Sequence, residues 1–550
     1  MEQSFIAFLE DSIKKNWDLD ALTDYKGATL QYKDVARKIE KLHIIFELSG
    51  IKQGDKIAVC GRNSSHWGVT FLAAVTYGAV IVPILHEFKS DNIHNIVNHS
   101  EARLLMVGDM VWENLNENAM PLLEGVILMN DYTLLVSRSS KLDYARDHLN
   151  ELFGKKYPRN FRREHVSYRR DTPEELAVIN YTSGTTSYSK GVMIPYRALW
   201  SNTQFAFDVL KMNPGDKLVS MLPMAHMYGL AFEFLYEFCV GCHIYFLTRT
   251  PSPKIIFQAF SEVKPNLVVA VPLIIEKIIK KNVLPKLETP AMKILLKVPI
   301  INDKIKATVR EQMINAFGGN FYEIIVGGAA FNQEIEQFLK SIDFPYTVGY
   351  GMTECAPIIC YEDWKYFKPG SCGKAAPRME VKILSPDPEN IVGEIVCKGP
   401  NVMLGYYKNP EATAEVIDKD GWLHTGDLGV MDAEGNVTIK GRSKNMLLGP
   451  SGQNIYPEEI ESKLNNLPFV MESLVVEKNG KLIGMVYPDY DTVDSTGISH
   501  TDLPVIMEQN RIELNKLLAP YETISEIQLY PTEFEKTPKK SIKRYLYSNY

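Results

Sequence analysis

The stretch that most constrains the fold runs from residue 55 to 85, where KIAVC (Lys56–Cys60), a helix-textured segment after Asn63 and GAVIVPIL (Gly78–Leu85) follow one another. Apolar runs of strand length separated by a helix are the grammar of a β-α-β unit. The alternation returns at Leu104–Val107, Gly125–Leu128, Ile244–Leu247, Leu267–Val271 and Ile324–Val326, which predicts a large α/β domain with parallel strands. After Lys374 the texture changes to EVKIL, GEIVCKG and NVTIKG, short runs broken by Gly, Pro, Asn and Asp. These predict an antiparallel or barrel-like subdomain over about 374–442, within a large domain of 1–442. From Ser443 onward a small α+β domain, 443–550, is expected: the helix PEEIESKLNN, strand-like SLVVEK and KLIGMVYP, a polar stretch at Asp489–Thr501, another helix and a basic end. A chain of 550 residues exceeds what one hydrophobic core sustains, so two or more domains are expected on size alone.

One loop carries more chemistry than the rest. YTSGTTSYSKGV (Tyr181–Val192) follows the apolar ELAVIN and combines glycine breaks, hydroxyls and a lysine. Small residues let main-chain N–H groups approach an anion, Thr182, Ser183, Thr185 and Thr186 offer hydroxyl donors, Gly184 permits the turn, and Lys190 brings positive charge. It reads as a polyphosphate cradle. It is not the Walker loop, which needs glycine before its lysine and Ser or Thr after it; here Ser189 and Gly191 occupy those positions.

Four segments downstream complete a pattern: VGGAA (Val326–Ala330), VGYGMTE (Val348–Glu354), GWLHTGDLG (Gly421–Gly429) and GRSKNMLLGPSGQNIYPEEIE (Gly441–Glu461). Five motifs in this order resemble the adenylate-forming superfamily of acyl-CoA synthetases, luciferases and peptide-synthetase adenylation domains, from about residue 20 to the C-terminus. PMAHMYGLAFEF and the KRYLY tail are most similar to the bacterial long-chain fatty acid–CoA ligases. The resemblance implies ATP and Mg²⁺ as cofactors, coenzyme A as co-substrate and a fatty acid as the activated acid. It also implies a small domain that rotates about a pivot, here Lys444, between two half-reactions.

Site roles follow from that resemblance together with the chemistry. A carboxylate attacking the α-phosphate of ATP brings two anions together, so the site must be a cage of cations and dipoles. The loop would hold the β- and γ-phosphates, Thr353 would donate to the α-phosphate, and Glu354 would help bind Mg²⁺, which needs few protein carboxylates. Asp427 can accept both ribose hydroxyls and Arg442 can donate to the same sugar. Tyr350, beside Gly351, is implied to stack on adenine, with Gly328, Ala329 and Ala330 along its other face. His226 matches the wall beside the carboxylate, although a lone histidine among apolar neighbours is as often a satisfied core group. Met227, Tyr228, Leu230, Phe232, Phe234 and Leu235 suit either an acyl tunnel or a buried helix face.

The C-terminus departs from the pattern. Relatives place a catalytic lysine four residues after the threonine of a Lys-Thr pair; in EKTPKKSIKRYLY that position is Ser541. A one-residue shift would let Lys540 serve as the adenylating cation, and the alternative is weakened or lost adenylation, a nucleotide-binding pseudoenzyme. Two further alternatives are an acyl-AMP ligase loading a carrier protein and an aromatic acid–CoA ligase.

Charge and cysteine use narrow the remaining classes. Sixty basic against 67 acidic residues give a formal charge of −7, unsuited to general nucleic-acid binding. Seven scattered cysteines suit free thiols in the cytoplasm, and Cys239-x-x-Cys242, flanked by apolar and aromatic residues, is expected in the core. The basic run Arg159–Arg170 is expected to be a solvated linker, with a docking patch for CoA phosphates or anionic lipid as the minor reading. MEQSFIAFLEDSIKKNWD has the pattern of an amphipathic helix, not of a secretory signal, and no run of 18 apolar residues occurs. Contact with a membrane is then expected only at its surface, and oligomeric state is not readable.

Overall fold

The computed structural model describes residues 3–182, 190–248, 252–279, 283, 289, 299–448, 453–537 and 541–547. Ser183, Gly184, Thr185, Thr186 and Lys540 of the expected site lie outside the described residues. The chain forms two compact units, one built from Met1–Thr182, Ser189–Glu380 and Lys398–Leu423, the other from Val381–Cys397 and His424–Tyr550.

The first unit is built on the β-α-β grammar of its sequence. Lys56–Cys60 pairs in parallel with Val80–Ile84 on one side and Ala102–Val107 on the other. Between the first two runs the helix Ser65–Tyr77, which starts where the Ser64 side chain accepts from the Trp67 N–H, ends at Gly78 with φ 93°. Gly78 is the left-handed stop that a side chain would strain. Trp67, Val69, Phe71, Leu72 and Val75 of this helix are buried, so it is apolar around most of its girth, as an internal layer requires. The full sheet runs Gly405–Tyr406, Lys190–Pro195, Leu176–Thr182, Val80–Ile84, Lys56–Cys60, Ala102–Val107, Gly125–Leu128, Leu134–Ser137. A second sheet orders Lys217–Ser220, His243–Phe246, Asp20–Asp24 and Thr29–Gln31, and a third pairs Val268–Ala270, Ile324–Val326 and Tyr346–Val348 in parallel.

The N-terminal helix, Phe5–Lys15, buries Phe5, Ile6, Leu9 and Ile13 on one face. Asp171 accepts from the Phe5 and Ile6 N–H groups at its start, at 3.1 and 2.9 Å. Arg170 pairs with Glu10 of this helix at 2.8 Å, and Arg169 with Glu175 at 2.7 Å. The end of the basic run is therefore a strap tied to the first helix, not the solvated linker its composition suggests. Its charges are spent inside the fold, because Glu10 and Glu175 sit within reach once the chain has closed on itself.

Cys239 and Cys242 are buried free thiols, and among the described residues no group of three or more His, Cys, Asp or Glu is placed to hold a metal ion. No helix among the described residues is long and apolar enough to cross a membrane.

In the second unit the runs EVKIL, GEIVCKG and NVTIKG become strands of one four-stranded sheet, in the order Glu380–Leu384, Gly393–Lys398, Leu423–Met431, Val437–Arg442. Beyond it, Val470–Lys478 and Lys481–Pro488 form an antiparallel pair extended in parallel by Ile524–Leu529. Helices Pro457–Leu464 and Leu503–Lys516 supply Ile460, Leu464, Met507 and Leu514 to a core shared with Val475, Val486 and Ile524. The polar stretch after Pro488 is partly helical: Asp489 caps Tyr490–Thr496 by accepting from the Thr492 N–H at 3.2 Å.

Candidate active site

Strand ends in the first unit gather most of the expected residues. Thr182, the last residue of Leu176–Thr182, is paired across the ladder with Lys190, the first of Lys190–Pro195. The two strands thus present the base of the phosphate loop as a hairpin. Gly191 next to the lysine is dictated by packing, since a Cβ there would lie 2.9 Å from Ile179 and 3.0 Å from the Tyr181 ring.

Lys190 Nζ lies 4.8 Å from the centroid of the Tyr406 ring, which is buried. The Tyr406 hydroxyl donates to Glu354 Oε1 at 2.9 Å. One aromatic side chain therefore joins the loop lysine to the glutamate of the VGYGMTE motif. Burial, and then the facing Glu354 carboxylate, push the Tyr406 phenol upward, so it stays protonated and remains a donor. Tyr406 is held by its own strand, which pairs with Lys190–Pro195 through Tyr406 and Val192. The sequence motifs give no sign of it, because its role depends on an edge strand contributed from more than two hundred residues away.

Glu354 fits a Mg²⁺-bearing role by its donor set. It is a half-buried carboxylate with one oxygen fixed by a phenol, while Oε2 accepts no hydrogen bond among the described residues. Magnesium retains water and phosphate oxygens and asks for one or two protein carboxylates. The turn Thr353–Cys355 that carries Glu354 follows the short strand Tyr350–Gly351, paired with Ile358–Tyr361. Gly351 has no alternative there, since a Cβ would lie 2.2 Å from the Pro357 carbonyl oxygen.

VGGAA and VGYGMTE emerge side by side because Ile324–Val326 and Tyr346–Val348 are adjacent parallel strands, with Val326 opposite Val348. Ligands of α/β sheets sit at the carboxyl ends of such strands. Gly328, Ala329 and Ala330 are exposed beyond the first strand, Gly328 with φ 87°, whereas Tyr350 is buried. Tyr228 of PMAHMYG lies against the same place: a Cβ on Gly327 would approach its ring carbon to 3.0 Å, and its hydroxyl donates to the Ile325 carbonyl at 3.2 Å. His226, half-buried, stands at the start of the helical turn Met227–Leu230. Asn180 of the loop strand holds the preceding Ala225 carbonyl at 2.8 Å, so this segment, the phosphate hairpin and VGGAA form one neighbourhood.

Behind PMAHMYG lies a group not anticipated from sequence. Glu233 is fully buried and accepts from the Met221 and Leu222 N–H groups at 3.0 and 2.7 Å and from Ser220 Oγ at 3.2 Å. Burial, partly offset by these donors, pushes its carboxyl well above the ordinary range. Leu230, Phe232, Phe234 and Leu235 beside it are buried, Phe234 packing on Phe71 and Phe246, so these side chains are core. A second unanticipated residue, His99, meets the Tyr181 hydroxyl through Nδ1 at 2.7 Å at the foot of the phosphate hairpin. Burial and Lys408 push the His99 imidazole down, favouring the neutral ring as a hydrogen-bond partner.

The second unit holds Asp427 and Arg442. They are directly opposite in the Leu423–Met431 and Val437–Arg442 ladder, with Arg442 Nε 3.1 Å from Asp427 Oδ1. The Asp427 side chain is 8% exposed and that of Arg442 66%. The acid is fixed while the guanidinium reaches solvent. The approach to Asp427 is built by Thr425, whose hydroxyl donates to the Ile395 carbonyl at 2.7 Å and accepts from the Asp427 N–H at 3.0 Å. Lys444 is exposed in the turn Ser443–Asn445. Near the C-terminus Ser541 N–H donates to Thr537 Oγ1 at 3.3 Å, and Lys543 is tied to Glu535 at 3.2 Å. Of the nearby lysines, Lys543 is therefore engaged in an ion pair.

The model of the AMP-binding enzyme family matches residues 9–407. The chain belongs to the AMP-binding enzyme family. Among its curated relatives, long-chain-fatty-acid–CoA ligase 5 of Rattus norvegicus is 29% identical over 504 residues, covering 85% of this chain and 72% of the relative. The long-chain-fatty-acid–CoA ligase of Escherichia coli is 27% identical over 504 residues, 86% of this chain and 83% of the relative. The anthranilate CoA ligase AuaEII, solved with anthranoyl-AMP, shares the fold with a TM-score of 0.78 at 18% identity, covering 99% of this chain and 96% of that one. This AMP-binding enzyme is an adenylate-forming acyl-CoA ligase, an acid–thiol ligase that forms AMP and uses ATP, Mg²⁺ and coenzyme A.

Proposed function

We propose that the chain is a fatty acid–CoA ligase acting on long or medium chains. The bridge from Lys190 through Tyr406 to Glu354 carries this reading, since it joins a phosphate-loop cation to a lone carboxylate suited to Mg²⁺. The curated relatives' names support the fatty acid as substrate.

In the first half-reaction a carboxylate oxygen bonds to the α-phosphorus and the bond to the β-phosphate bridging oxygen breaks, so pyrophosphate leaves with the electron pair. Thr182, Lys190 and the hydroxyls of Ser183, Thr185 and Thr186, with Gly184, hold the departing phosphates. Thr353 donates to the α-phosphate, and Glu354 takes Mg²⁺, which neutralises phosphate charge when bound. Tyr350, Gly351 and Gly328–Ala330 receive adenine, and Asp427 with Arg442 receives ribose. His226 faces the acid, and Lys540 supplies the adenylating cation in place of Ser541. In the second half-reaction the small domain turns about Lys444. The CoA sulfur then bonds to the acyl carbon, the acyl–phosphate C–O bond breaks, and the thiol proton passes to solvent as AMP departs. Positioning carries most of the rate, because AMP is already a good leaving group.

The test is AMP release with MgATP and CoA over a ladder of fatty acids, benzoate and anthranilate. Turnover rising with chain length supports the reading; turnover on the aromatic acids alone overturns it. ATP–pyrophosphate exchange with no acid accepted by CoA would instead point to delivery to a carrier protein.

A further inference from the structure

The helix Tyr32–Leu48 carries Arg37, Lys38 and Lys41 at spacings that share one face, and this face lines a cavity of about 370 Å³ closed on the other side by residues between Asp131 and Asn150. Arg146, whose Nε donates to the Tyr132 carbonyl and whose charge acts on Asp131, adds a fourth cation from the helix Ser140–Asp147, against two acids in the lining, Asp34 and Asp131. Asp34 is already matched by Arg37 at 3.0 Å. Neither lysine has a carboxylate at ion-pair distance among the described residues. Lys41 Nζ donates to Asn150 Oδ1 at 2.8 Å, while Lys38 Nζ lies 3.4 Å from His66 Nε2 and 5.5 Å from the centroid of the Tyr132 ring. Burial lowers both ammonium groups, and each is pushed further down by a neighbouring cation, Lys41 for Lys38, where Asp34 opposes the shift in part, and Arg37 for Lys41. The cavity thus holds an uncompensated positive charge that is partly withdrawn from water, an arrangement that an incoming anion relieves.

Its dimensions narrow the anion. The volume is within the range of small-molecule pockets and far above what a lone phosphate fills, and Leu30, Leu149 and the Tyr132 ring give it apolar walls. We propose that this cavity binds a phosphorylated small molecule of sugar-phosphate or mononucleotide size, its phosphate on Lys38, Lys41 and Arg146 and its organic body against the Tyr132 wall. The site is separate from the phosphate hairpin. Tyr132 follows the strand Gly125–Leu128, which is four strands from Leu176–Thr182 in the sheet order, roughly 19 Å at the usual strand spacing. It uses none of the residues assigned to adenylation, so it stands independently of the substrate reading.

Calorimetric titration of the full chain with ribose 5-phosphate, inorganic phosphate and ribose tests it. Ribose 5-phosphate is expected to bind one site, inorganic phosphate the same site more weakly, and ribose not at all. The double variant Lys38→Met, Lys41→Met, and separately Arg146→Gln, should each weaken ribose 5-phosphate by about tenfold or more while Lys190→Ala leaves it unchanged. Thermal melting of each variant establishes that the loss is not unfolding. No saturable binding up to about 10 mM, binding retained in both cavity variants, or binding lost in Lys190→Ala overturns the proposal. None of these readouts depends on catalysis, so failure here is distinct from failure of the ligase reading.

Discussion

Replacing Tyr406 by phenylalanine isolates the bridge between the loop lysine and the glutamate. The ring that faces Lys190 at 4.8 Å is retained, and only the hydroxyl that donates to Glu354 at 2.9 Å is lost. A hydrogen bond to a charged acceptor contributes about 1.5–3 kcal/mol, and Glu354 is half-buried, so the lower end applies. At about 1.4 kcal/mol per decade, ATP–pyrophosphate exchange should fall about tenfold. The deficit should shrink as Mg²⁺ is raised if the hydroxyl orients the carboxylate for the ion. Tyr406→Ala removes the ring as well, forfeiting a further ~0.5–2 kcal/mol of cation–π attraction, and should lie below Tyr406→Phe. Both should bind coenzyme A as the parent does. Exchange kinetics in Tyr406→Phe equal to the parent at every Mg²⁺ concentration would refute the coupling of Lys190 and Glu354 through this phenol.

Asp427→Asn keeps the shape but loses the charge that faces Arg442 at 3.1 Å; on the proposed ribose role it also loses one of two acceptors, so the KM for ATP should rise about tenfold with acid preference unchanged, measured by AMP release. Glu233→Leu orphans the Met221 and Leu222 N–H groups, so a loss of about 2–4 kcal/mol in denaturant unfolding is expected, with Glu233→Gln much milder. Glu237, fully buried and pushed by burial from 4.5 to about 8, holds its proton in the fold where the unfolded chain has released it. Its contribution is complete below about pH 4.5 and is lost as pH rises toward 8, and Glu237→Gln should flatten the fall of Tm across that interval in calorimetry. His99→Ala should raise the KM for ATP several-fold through Tyr181, with His99→Gln recovering part of the loss.

Elements whose signal is local are legible in the sequence. Gly125–Leu128, Ile324–Val326 and Lys481–Pro488 occur as strands at the residues their apolar runs mark, because side-chain burial on one short segment decides them. The strand partners are not. His243–Phe246 lies between Lys217–Ser220 and Asp20–Asp24, a pairing that joins residues more than two hundred positions apart and that no periodicity encodes. The same division holds for the site. Of the candidate residues, Lys190, Asp427 and Arg442 stand out in the sequence as charged residues adjoining a glycine, and Glu354 as the one acid of VGYGMTE.

Tyr406, Glu233 and His99 were invisible for a reason that bears on how the site works. Each is a polar group in an otherwise ordinary setting, and each acts by fixing something else: Tyr406 the Glu354 carboxylate, Glu233 the backbone entering PMAHMYG, His99 the foot of the phosphate hairpin. Holding a carboxylate or a loop to a fraction of an ångström needs donors fixed by burial, and burial comes from tertiary packing that the motif itself does not contain. On the proposed roles the motifs supply the groups that meet a nucleotide, while their placement rests on side chains from a strand and two helical segments packed against them. Substituting a supporting residue should shift ATP or Mg²⁺ dependence without altering which acids are accepted, whereas changes at His226 should do the reverse.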